Sequence, residues 1–316
     1  MRRCLGLLLH LWALALNSLD AFSSLISANP SKKSLGFLSC DLDDTLFPTS
    51  QVVNDANVVM IDMMKMNGYE TTVSDFLETT RVVRKSLELP ITYSDLRRLA
   101  IRKEMERVCP EKIVDDLLVE QTFAAWLQER HLAAERYLFH DAIEMLEQIK
   151  RNHPDVCIAA ITNGRGDPLD MKQTLSPYFE FCVSGEDENV FPDRKPYAGI
   201  YQRALETYRE VRPDHDPDCH IWCHVGDCLA NDVGASASLG ALAIWYAPNE
   251  SSDESAMGRL TGQSTPSWST ATQSELQTRA ALVDQARAQV GAQIARLAEL
   301  PTAIQTFLNE GTRNKL

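Results

Sequence analysis

The residues from Phe37 to Leu46 constrain the fold more than any other part of the chain. They read FLSCDLDDTL, a short apolar run that ends in acids. Such a run, followed by turn-forming residues, is typical of a buried strand. Residues i and i+2 of a strand point the same way, so the carboxylates of Asp41 and Asp43 would crowd one point at its end. A bound cation or a shared proton would relieve that repulsion. The plainer alternative is a strand followed by an acidic turn.

Four later apolar runs are also typical of buried strands, and polar residues follow three of them. The runs are 156–161, followed by Thr162-Asn163-Gly164; 179–184, followed after a loop by Lys195-Pro196; 221–225, followed by Gly226-Asp227 and then Asp232; and 241–246. Helical patterns separate the runs, which predicts an α/β fold with a doubly wound, open parallel sheet. Ligands bind at the carboxyl edge of such sheets, so we expect the polar groups to meet there.

A long segment after the first strand shows only helical patterns. Four helices are predicted, the first capped by Ser50 or Asn54 and the others over 74–86, 94–108 and 111–130. We therefore predict an all-helical second domain over residues 50–135, inserted between the core segments 36–49 and 136–316. A helical domain of unrelated purpose is the alternative. Within the core, residues 248–270 are predicted to form a polar loop, and helices over 274–300 and 302–309 are predicted to break at Pro301.

In this order the polar clusters resemble the four motifs of the haloacid dehalogenase-like (HAD) hydrolases, most of which are phosphatases. The clusters are Asp41-x-Asp43-x-Thr45-Leu46, Thr162-Asn163-Gly164, Lys195-Pro196 and Gly226-Asp227 with Asp232. The resemblance covers residues 36 to about 247 and the final helix. It implies a Rossmann-like core, and it identifies the helical segment 50–135 as similar to the mobile cap of one HAD subclass.

The same resemblance implies a role for each motif residue. Asp41 would be the nucleophile, which forms an aspartyl-phosphate, and Asp43 the acid and base. Thr162 and Lys195 would bind the phosphoryl group, with backbone donors from the Leu42 and Asn163 regions. The expected cofactor is Mg²⁺, and its ligands would be the carboxylates of Asp41 and Asp227, the main-chain oxygen of Asp43, and Asp232 directly or through water.

The expected activity is therefore that of a Mg²⁺-dependent phosphomonoesterase. A dehalogenase of this superfamily typically lacks an acid two residues after the nucleophile, whereas this chain has Asp43. A phosphomutase would keep all four motifs, and a retired enzyme with only a binding or regulatory role would usually lose one of these residues. Some motif residues also resemble those of phosphatases that act on flavin mononucleotide (FMN) and on a riboflavin precursor.

Basic residues of the cap could meet an anionic substrate, although a solvated charged face is the alternative for each. They are Arg81, Arg84, Lys85, Arg97 and Arg98.

Charge limits the class of partner. The formal net charge of the 316 residues is -13, and nucleic acids are bound by basic surfaces. We therefore expect a small phosphorylated metabolite as partner and no nucleic acid.

The ligand types of a zinc site occur close together as His215, Cys219, His220, Cys223 and His224. Their spacing does not fit the usual arrangement of two separated ligand pairs.

The amino end has the pattern of a targeting sequence. Met1-Arg2-Arg3 precedes an apolar run over 4–16, which is typical of a signal peptide and too short to span a bilayer comfortably. Residues 22–35 are rich in Ser and Lys and contain no acid, as in a transit peptide. A signal peptide over 1–21 followed by such a segment resembles the bipartite presequences of proteins imported into the plastids of diatoms and related algae. The expected location is the plastid, with no stable membrane association after processing. Secretion through the ER is the alternative location. A buried amino-terminal helix is the alternative structure for the apolar run over 4–16.

Overall fold

The fold is a six-stranded parallel sheet flanked by helices, as predicted from the sequence. The structure is a computed structural model, and it describes residues 33–216, 219–248 and 268–313. The strands are β1 Ser34–Cys40, β2 Cys157–Thr162, β3 Phe181–Ser184, β4 His220–Gly226, β5 Leu242–Tyr246 and β6 Ala292–Ile294. The described helices are α1 Thr49–Met66, α2 Val73–Ser86, α3 Tyr93–Val108, α4 Asp116–Arg136, α5 Ala142–Asn152, α6 Gly199–Val211, α7 Ala235–Ser238, α8 Gln273–Arg287 and α9 Leu300–Arg313.

The strand order is β3-β2-β1-β4-β5-β6, so the first strand lies between β2 and β4. Both faces of β1 are buried. Leu38 belongs to one apolar cluster, and Phe37 belongs to another on the opposite side, where its ring stacks on Tyr208 with centroids 4.5 Å apart. A strand buried on both faces reads as a continuous apolar run, which is why the sequence pattern locates it well.

Helices α1 to α4 follow β1 and have an apolar core of their own. That core contains Met60, Met64, Phe76, Ile101, Met105 and Trp126. The methionines of α1 therefore fill the interior of the cap, as flexible thioether side chains often do. The predicted caps Ser50 and Asn54 are wrong, because α1 already begins at Thr49. The amide of Thr49 donates instead to the carboxylate of Asp44 (3.0 Å), and Asp44 has the left-handed φ of 63° that this tight turn requires.

The fourth cap helix differs from its prediction at both ends. The pattern predicts 111–130, whereas α4 runs from Asp116 to Arg136. The preceding segment is irregular, and the helix is capped by Asp115, whose carboxylate accepts a hydrogen bond from the amide of Leu117 (3.0 Å). The sequence after Arg130, HLAAER, contains no glycine or proline that would end the helix. Arg130 therefore lies in the interior of α4.

The carboxyl-terminal prediction is also wrong in part. Helix α8 ends at Arg287, and the short edge strand Ala292–Ile294 replaces the second half of the predicted helix. Pro301 does not break a helix but lies in the first turn of α9, where its missing N–H has no intrahelical partner to lose.

Some predictions concern residues that the structure does not describe. The two amino-terminal segments, apart from residues 33–35, and most of the predicted loop 248–270 lie outside the described residues. Within the described ranges, no helix has both the length and the apolarity needed to cross a bilayer.

Candidate active site

The predicted site residues meet at the carboxyl edge of the three central strands. Asp41 directly follows β1, Thr162 ends β2, and Asp227 directly follows β4. Because β1 lies between β2 and β4, these residues flank Asp41 on both sides. Lys195 reaches the same place from the loop after β3.

Lys195 joins two carboxylates at the centre of this edge. Its Nζ lies 2.7 Å from Oδ1 of Asp41 and 2.7 Å from Oδ1 of Asp232. All three side chains are buried, with residue exposures of 3% for Lys195, 7% for Asp41 and 1% for Asp232. Charges taken out of water in this way persist only when they are paired, so the three groups depend on one another.

The three groups titrate far from their ordinary ranges. Burial raises the pKa of Asp41 to about 7, although the Lys195 ammonium acts in the opposite direction. Burial also opposes ionisation of Asp232, but the Lys195 ammonium and the hydrogen bond from His224 outweigh it and lower the pKa of Asp232. The pKa of Lys195 is raised well above its usual value, because the charges of Asp232 and Asp41 outweigh the effect of burial. Asp41 is thus the carboxyl group that most readily holds a proton here.

Thr45 connects the first motif to the fourth. Its Oγ1 donates to Oδ2 of Asp41 (3.1 Å) and accepts a hydrogen bond from the amide of Asp227 (3.1 Å). Thr45 is fully buried. Together with Lys195 it fixes both carboxylate oxygens of Asp41. The sequence marked Thr45 as part of the first motif, but not as this bridge.

Three of the acids form a group suited to a metal ion. Ligand atoms of Asp41, Asp227 and Asp232 all lie within 4.8 Å of one another. An all-oxygen set of carboxylates is what Mg²⁺ prefers, so these side chains fit the expected cofactor. Among the described residues this is the one such group of His, Cys, Asp or Glu ligands, and the histidine and cysteine residues between 215 and 224 do not form another. The ligand expected from Asp43 is its main-chain oxygen, and its side chain is not in the group.

Asn163 positions the loop that carries Lys195. Its side-chain amide donates to the main-chain oxygen of Lys195 (3.0 Å) and its oxygen accepts from the main-chain N–H of Lys195 (2.9 Å). Thr162 is buried, and its hydroxyl oxygen accepts from the amide of Gly164 (3.2 Å). The Leu42 side chain belongs to the core. The backbone donors expected from the regions of Leu42 and Asn163 remain predictions.

A cap residue that the sequence did not single out reaches the site. Nη2 of Arg130 lies 2.7 Å and 2.8 Å from the two carboxylate oxygens of Asp43, which is 87 residues away in the chain. The Arg130 side chain is 4% exposed and that of Asp43 is 28% exposed. Gly166 allows this approach, because a Cβ at that position would lie 2.3 Å from Nη1 of Arg130. The one feature of the sequence that could indicate this contact is the lack of a glycine or proline after Arg130, which lets α4 continue beyond that residue.

Comparison with known proteins identifies the family to which this site belongs. The family model of the haloacid dehalogenase-like hydrolases matches residues 38–240. The chain is a member of the HAD hydrolases. The matched range includes the whole cap and all four motifs. A search of curated proteins gives no match.

Solved structures of HAD proteins resemble the chain over most of its length. A 2-haloacid dehalogenase from Pseudomonas syringae pv. Tomato DC3000 is 22% identical and has a TM-score of 0.58, over 87% of this chain and 100% of that one. A magnesium-bound HAD hydrolase from Bacillus subtilis is 15% identical (TM-score 0.49, 86% and 100% coverage). A HAD phosphatase from Thermococcus onnurineus is 15% identical (TM-score 0.47, 85% and 97% coverage). At 22% identity the first likeness supports the fold alone.

Behind Asp232 this HAD hydrolase has a buried hydrogen-bond network. Trp222 Nε1 donates to Ser39 Oγ (2.8 Å), and Ser39 Oγ lies 2.8 Å from Nδ1 of His224. Burial lowers the pKa of His224, which keeps the ring neutral. If the Ser39 hydroxyl donates to Nδ1, the ring proton is on Nε2, which lies 3.5 Å from Oδ1 of Asp232. Nε2 also lies 3.3 Å from the hydroxyl of Tyr201, so His224 packs against both Tyr201 and Asp232 from the core side.

Proposed function

We propose that this HAD hydrolase is a Mg²⁺-dependent phosphomonoesterase that acts on a small phosphorylated metabolite. The observation that carries the proposal is a buried carboxylate, Asp41, bonded to Lys195 at 2.7 Å and followed two residues later by a second acid, Asp43. This combination supplies a nucleophile, a cation for the charge of the phosphoryl group, and a group that can transfer a proton.

In the first step, a carboxylate oxygen of Asp41 attacks the phosphorus atom, and the bond from phosphorus to the leaving oxygen breaks. Asp43 gives its proton to that oxygen, so the product leaves as an alcohol. Lys195 and Thr162 interact with the oxygens of the transferred phosphoryl group. Positioned acid catalysis of this type contributes about 10²- to 10⁴-fold in rate.

In the second step, water attacks the phosphorus of the aspartyl-phosphate. Asp43 accepts a proton from the water, the bond between phosphorus and Asp41 breaks, and inorganic phosphate is released. The two half-reactions restore the starting protonation state of Asp43. One acid therefore serves both steps, which agrees with its place two residues after the nucleophile.

The metal would be held by Asp41, Asp227 and Asp232, with the main-chain oxygen of Asp43. When bound, Mg²⁺ supplies positive charge to the phosphoryl oxygens and to the crowded carboxylates. In its absence Lys195 offers one positive charge to Asp41 and Asp232 together, with Asp227 nearby. The all-oxygen donor set supports a divalent cation at the site.

A panel of phosphate esters tests the proposal. The full-length chain is assayed for released phosphate with Mg²⁺ and with EDTA, on sugar phosphates, phosphoglycolate, nucleoside monophosphates, FMN and the phosphorylated riboflavin precursor. We expect metal-dependent release from at least one ester, and no turnover by a folded Asp41→Asn variant. If no ester releases phosphate with Mg²⁺, the proposal is wrong and a binding or regulatory role is favoured.

The same panel separates the other candidate activities. A phosphomutase would convert a sugar phosphate to its isomer with little release of phosphate. A dehalogenase would release halide from a 2-haloacid, although Asp43 argues against that chemistry. FMN or the riboflavin precursor as substrate is a specific case of the proposed activity, and a preference for it would appear directly in kcat/KM.

We also propose that the protein acts in a plastid. The support is the sequence of residues 1–35, with a charged start, an apolar run and then a segment rich in Ser and Lys. Secretion is the alternative that the same residues leave open.

A further inference from the structure

Arg130 occupies both oxygens of the proposed acid. The two contacts come from the same nitrogen, Nη2, at 2.7 Å and 2.8 Å. While this pair persists, the carboxylate of Asp43 is held against the guanidinium of Arg130, so an approach to a leaving group has to weaken or share this contact. Asp43 can therefore act only when Arg130 releases it or shares it, so the ion pair describes the site before substrate binds.

One nitrogen of the Arg130 guanidinium, Nη1, is available as a hydrogen-bond donor. Nη1 is buried and has no hydrogen-bond partner among the residues that the structure describes. A guanidinium that is 4% exposed and loses Asp43 would be left as a buried, unpaired charge, which is costly. Another anion must then take the place of Asp43.

A second guanidinium, that of Arg97, lies close enough to Arg130 for the two positive charges to repel each other. Arg97 is partly buried, its guanidinium carbon lies 3.8 Å above the ring of Trp126, and it donates to the neutral Asn57 (3.0 Å). Among the described residues no carboxylate forms an ion pair with it. Burial and the positive charge of Arg130 lower the pKa of Arg97 to about 9, although the negative charge of Glu186 acts in the opposite direction, so Arg97 still carries its charge near neutral pH.

A cleft lies next to Arg130, between cap and core. It has a volume of about 330 Å³, and Gly166 and the apolar side chains of Phe123 and Leu127 line it. Charges of both signs also line it, those of Arg98, Arg165, Asp167, Asp170 and Asp187, so the cleft is not basic by itself and the guanidinium of Arg130 beside it would have to supply the selectivity for an anion. Gly166 is the residue on which the Arg130 guanidinium packs. The cleft is of a size that suits a small leaving group.

We infer that Arg130 recognises a second anionic group, a carboxylate or a phosphate, on the leaving group of the substrate. A guanidinium matches both anions with paired N–H donors, and it would exchange Asp43 for the substrate anion. This inference rests on the proposed phosphatase function and narrows its substrate class. FMN, whose leaving group carries no such anion, would gain nothing from Arg130.

Matched ester pairs test the role of Arg130. The first pair is 2-phosphoglycerate and glycerol 2-phosphate, which differ in a carboxylate. The second is glucose 1,6-bisphosphate and glucose 1-phosphate, which differ in a phosphate. The two pairs show which anion is preferred. For Arg130→Gln we expect kcat/KM for the preferred anionic ester to fall about 10- to 100-fold. That of its neutral counterpart should not fall and should rise if anything, because a neutral ester no longer has to displace Arg130 from Asp43.

Two further variants make the result specific. Arg102→Gln removes the same charge from an outer position of the cap, where Arg102 pairs with Asp116, and it should alter neither pair. Arg130→Lys keeps the charge without the planar fork, and it should give an intermediate loss. An equal loss for both members of each pair would mean that Arg130 only orients Asp43, and a gain for both would make it an inhibitory latch. Either result overturns the inference.

The affinities of the esters for inactive variants distinguish a failure of this inference from a failure of the proposed function. The same four esters are titrated into Asp41→Asn and into Asp41→Asn with Arg130→Gln by calorimetry. We expect the second substitution to weaken binding of the preferred anionic ester alone. If wild type hydrolyses no ester, the phosphatase proposal fails while this comparison still decides the role of Arg130. Equal affinities in the two backgrounds would contradict that role.

Discussion

At the scale of single residues, Asp41 is the group whose protonation matters most. Lys195 shares one positive charge between Asp41 and Asp232, and the carboxylate of Asp227 is close to both. Burial raises the pKa of Asp41 to about 7. Below that pH the metal-free protein therefore holds a proton on its proposed nucleophile. A divalent cation among these carboxylates favours the ionised form of Asp41 and displaces the proton.

We therefore predict that Mg²⁺ binding releases a proton below neutral pH. Because the pKa of Asp41 is raised, its carboxylate fraction grows as the pH rises through about 7. The apparent affinity for Mg²⁺ should then increase with pH up to that value and level off above it. At about pH 6, calorimetry in two buffers of different ionisation enthalpy should show release of up to about one proton per ion. Asp41→Asn should show less release. Equal heats in the two buffers for wild type would contradict the prediction.

At the scale of elements, the turn after β4 holds Asp232 against the strand end. A Cβ on Gly226 would lie 2.3 Å from Cγ and 2.5 Å from Cβ of Asp232, distances that real side chains do not reach. The absence of a side chain at this strand end therefore lets Asp232 pack against β4, where it contacts Lys195. The glycine of the fourth motif is thus explained by close approach.

We predict that Gly226→Ala lowers Mg²⁺ affinity and kcat/KM by about 10- to 100-fold, as loss of support around a metal ligand commonly does. The added methyl group must push Asp232 away from Lys195. Calorimetric Mg²⁺ titration and phosphate release measure the two effects. Gly36→Ala is the matched control, because its Cβ would crowd His220 at 2.6 Å near the opposite end of the sheet. That variant should lose stability and keep its Mg²⁺ affinity. Loss of affinity in both variants would point to general unfolding instead.

The elements differ in how well local sequence predicts them. Core strands such as β1 and β4 are continuous apolar runs between turn residues, so period and composition suffice. The edge strand β6 is three residues, Ala-Gln-Ile, with no such run, and its sequence context predicts a helix instead. The start and end of α4 were misplaced because the cap at Asp115 and the continuation past Arg130 depend on weak local signals.

The site residues likewise divide into those that the local sequence predicts and those that it does not. Residues that follow core strands, such as Asp41 and Thr162, could be placed at one edge from the order of the elements. The contact between Arg130 and Asp43 could not, because it joins α4 to the end of β1 across 87 residues and depends on how the helices α1 to α4 pack on the sheet. Helix faces can be read from a sequence, but the docking of one domain on another has no local pattern.

At the scale of the whole molecule, cap and core are in contact around the site. Besides Arg130, the amide of Ser94 in α3 donates to Glu186 of the core (3.2 Å), and the amide of Gln173 in the core donates to Glu135 of α4 (2.8 Å). Asp41 and Lys195 are almost fully covered in this arrangement. Access of a substrate to Asp41 therefore depends on how α1 to α4 pack on the core, as with the caps and lids of other enzymes.

The charge distribution along the chain supports the last prediction, which concerns localisation. The net charge is -13, yet residues 21–39 contain no acid. A segment so unlike the rest of the chain fits a targeting role. We predict that residues 1–40 fused to a fluorescent protein direct it to the plastid of an alga. Residues 1–21 alone should lead only into the secretory route, and residues 22–40 alone should leave the reporter in the cytosol, because each lacks one of the two signals. A cytosolic reporter with residues 1–40 would refute plastid import, and a secreted one would favour the ER alternative.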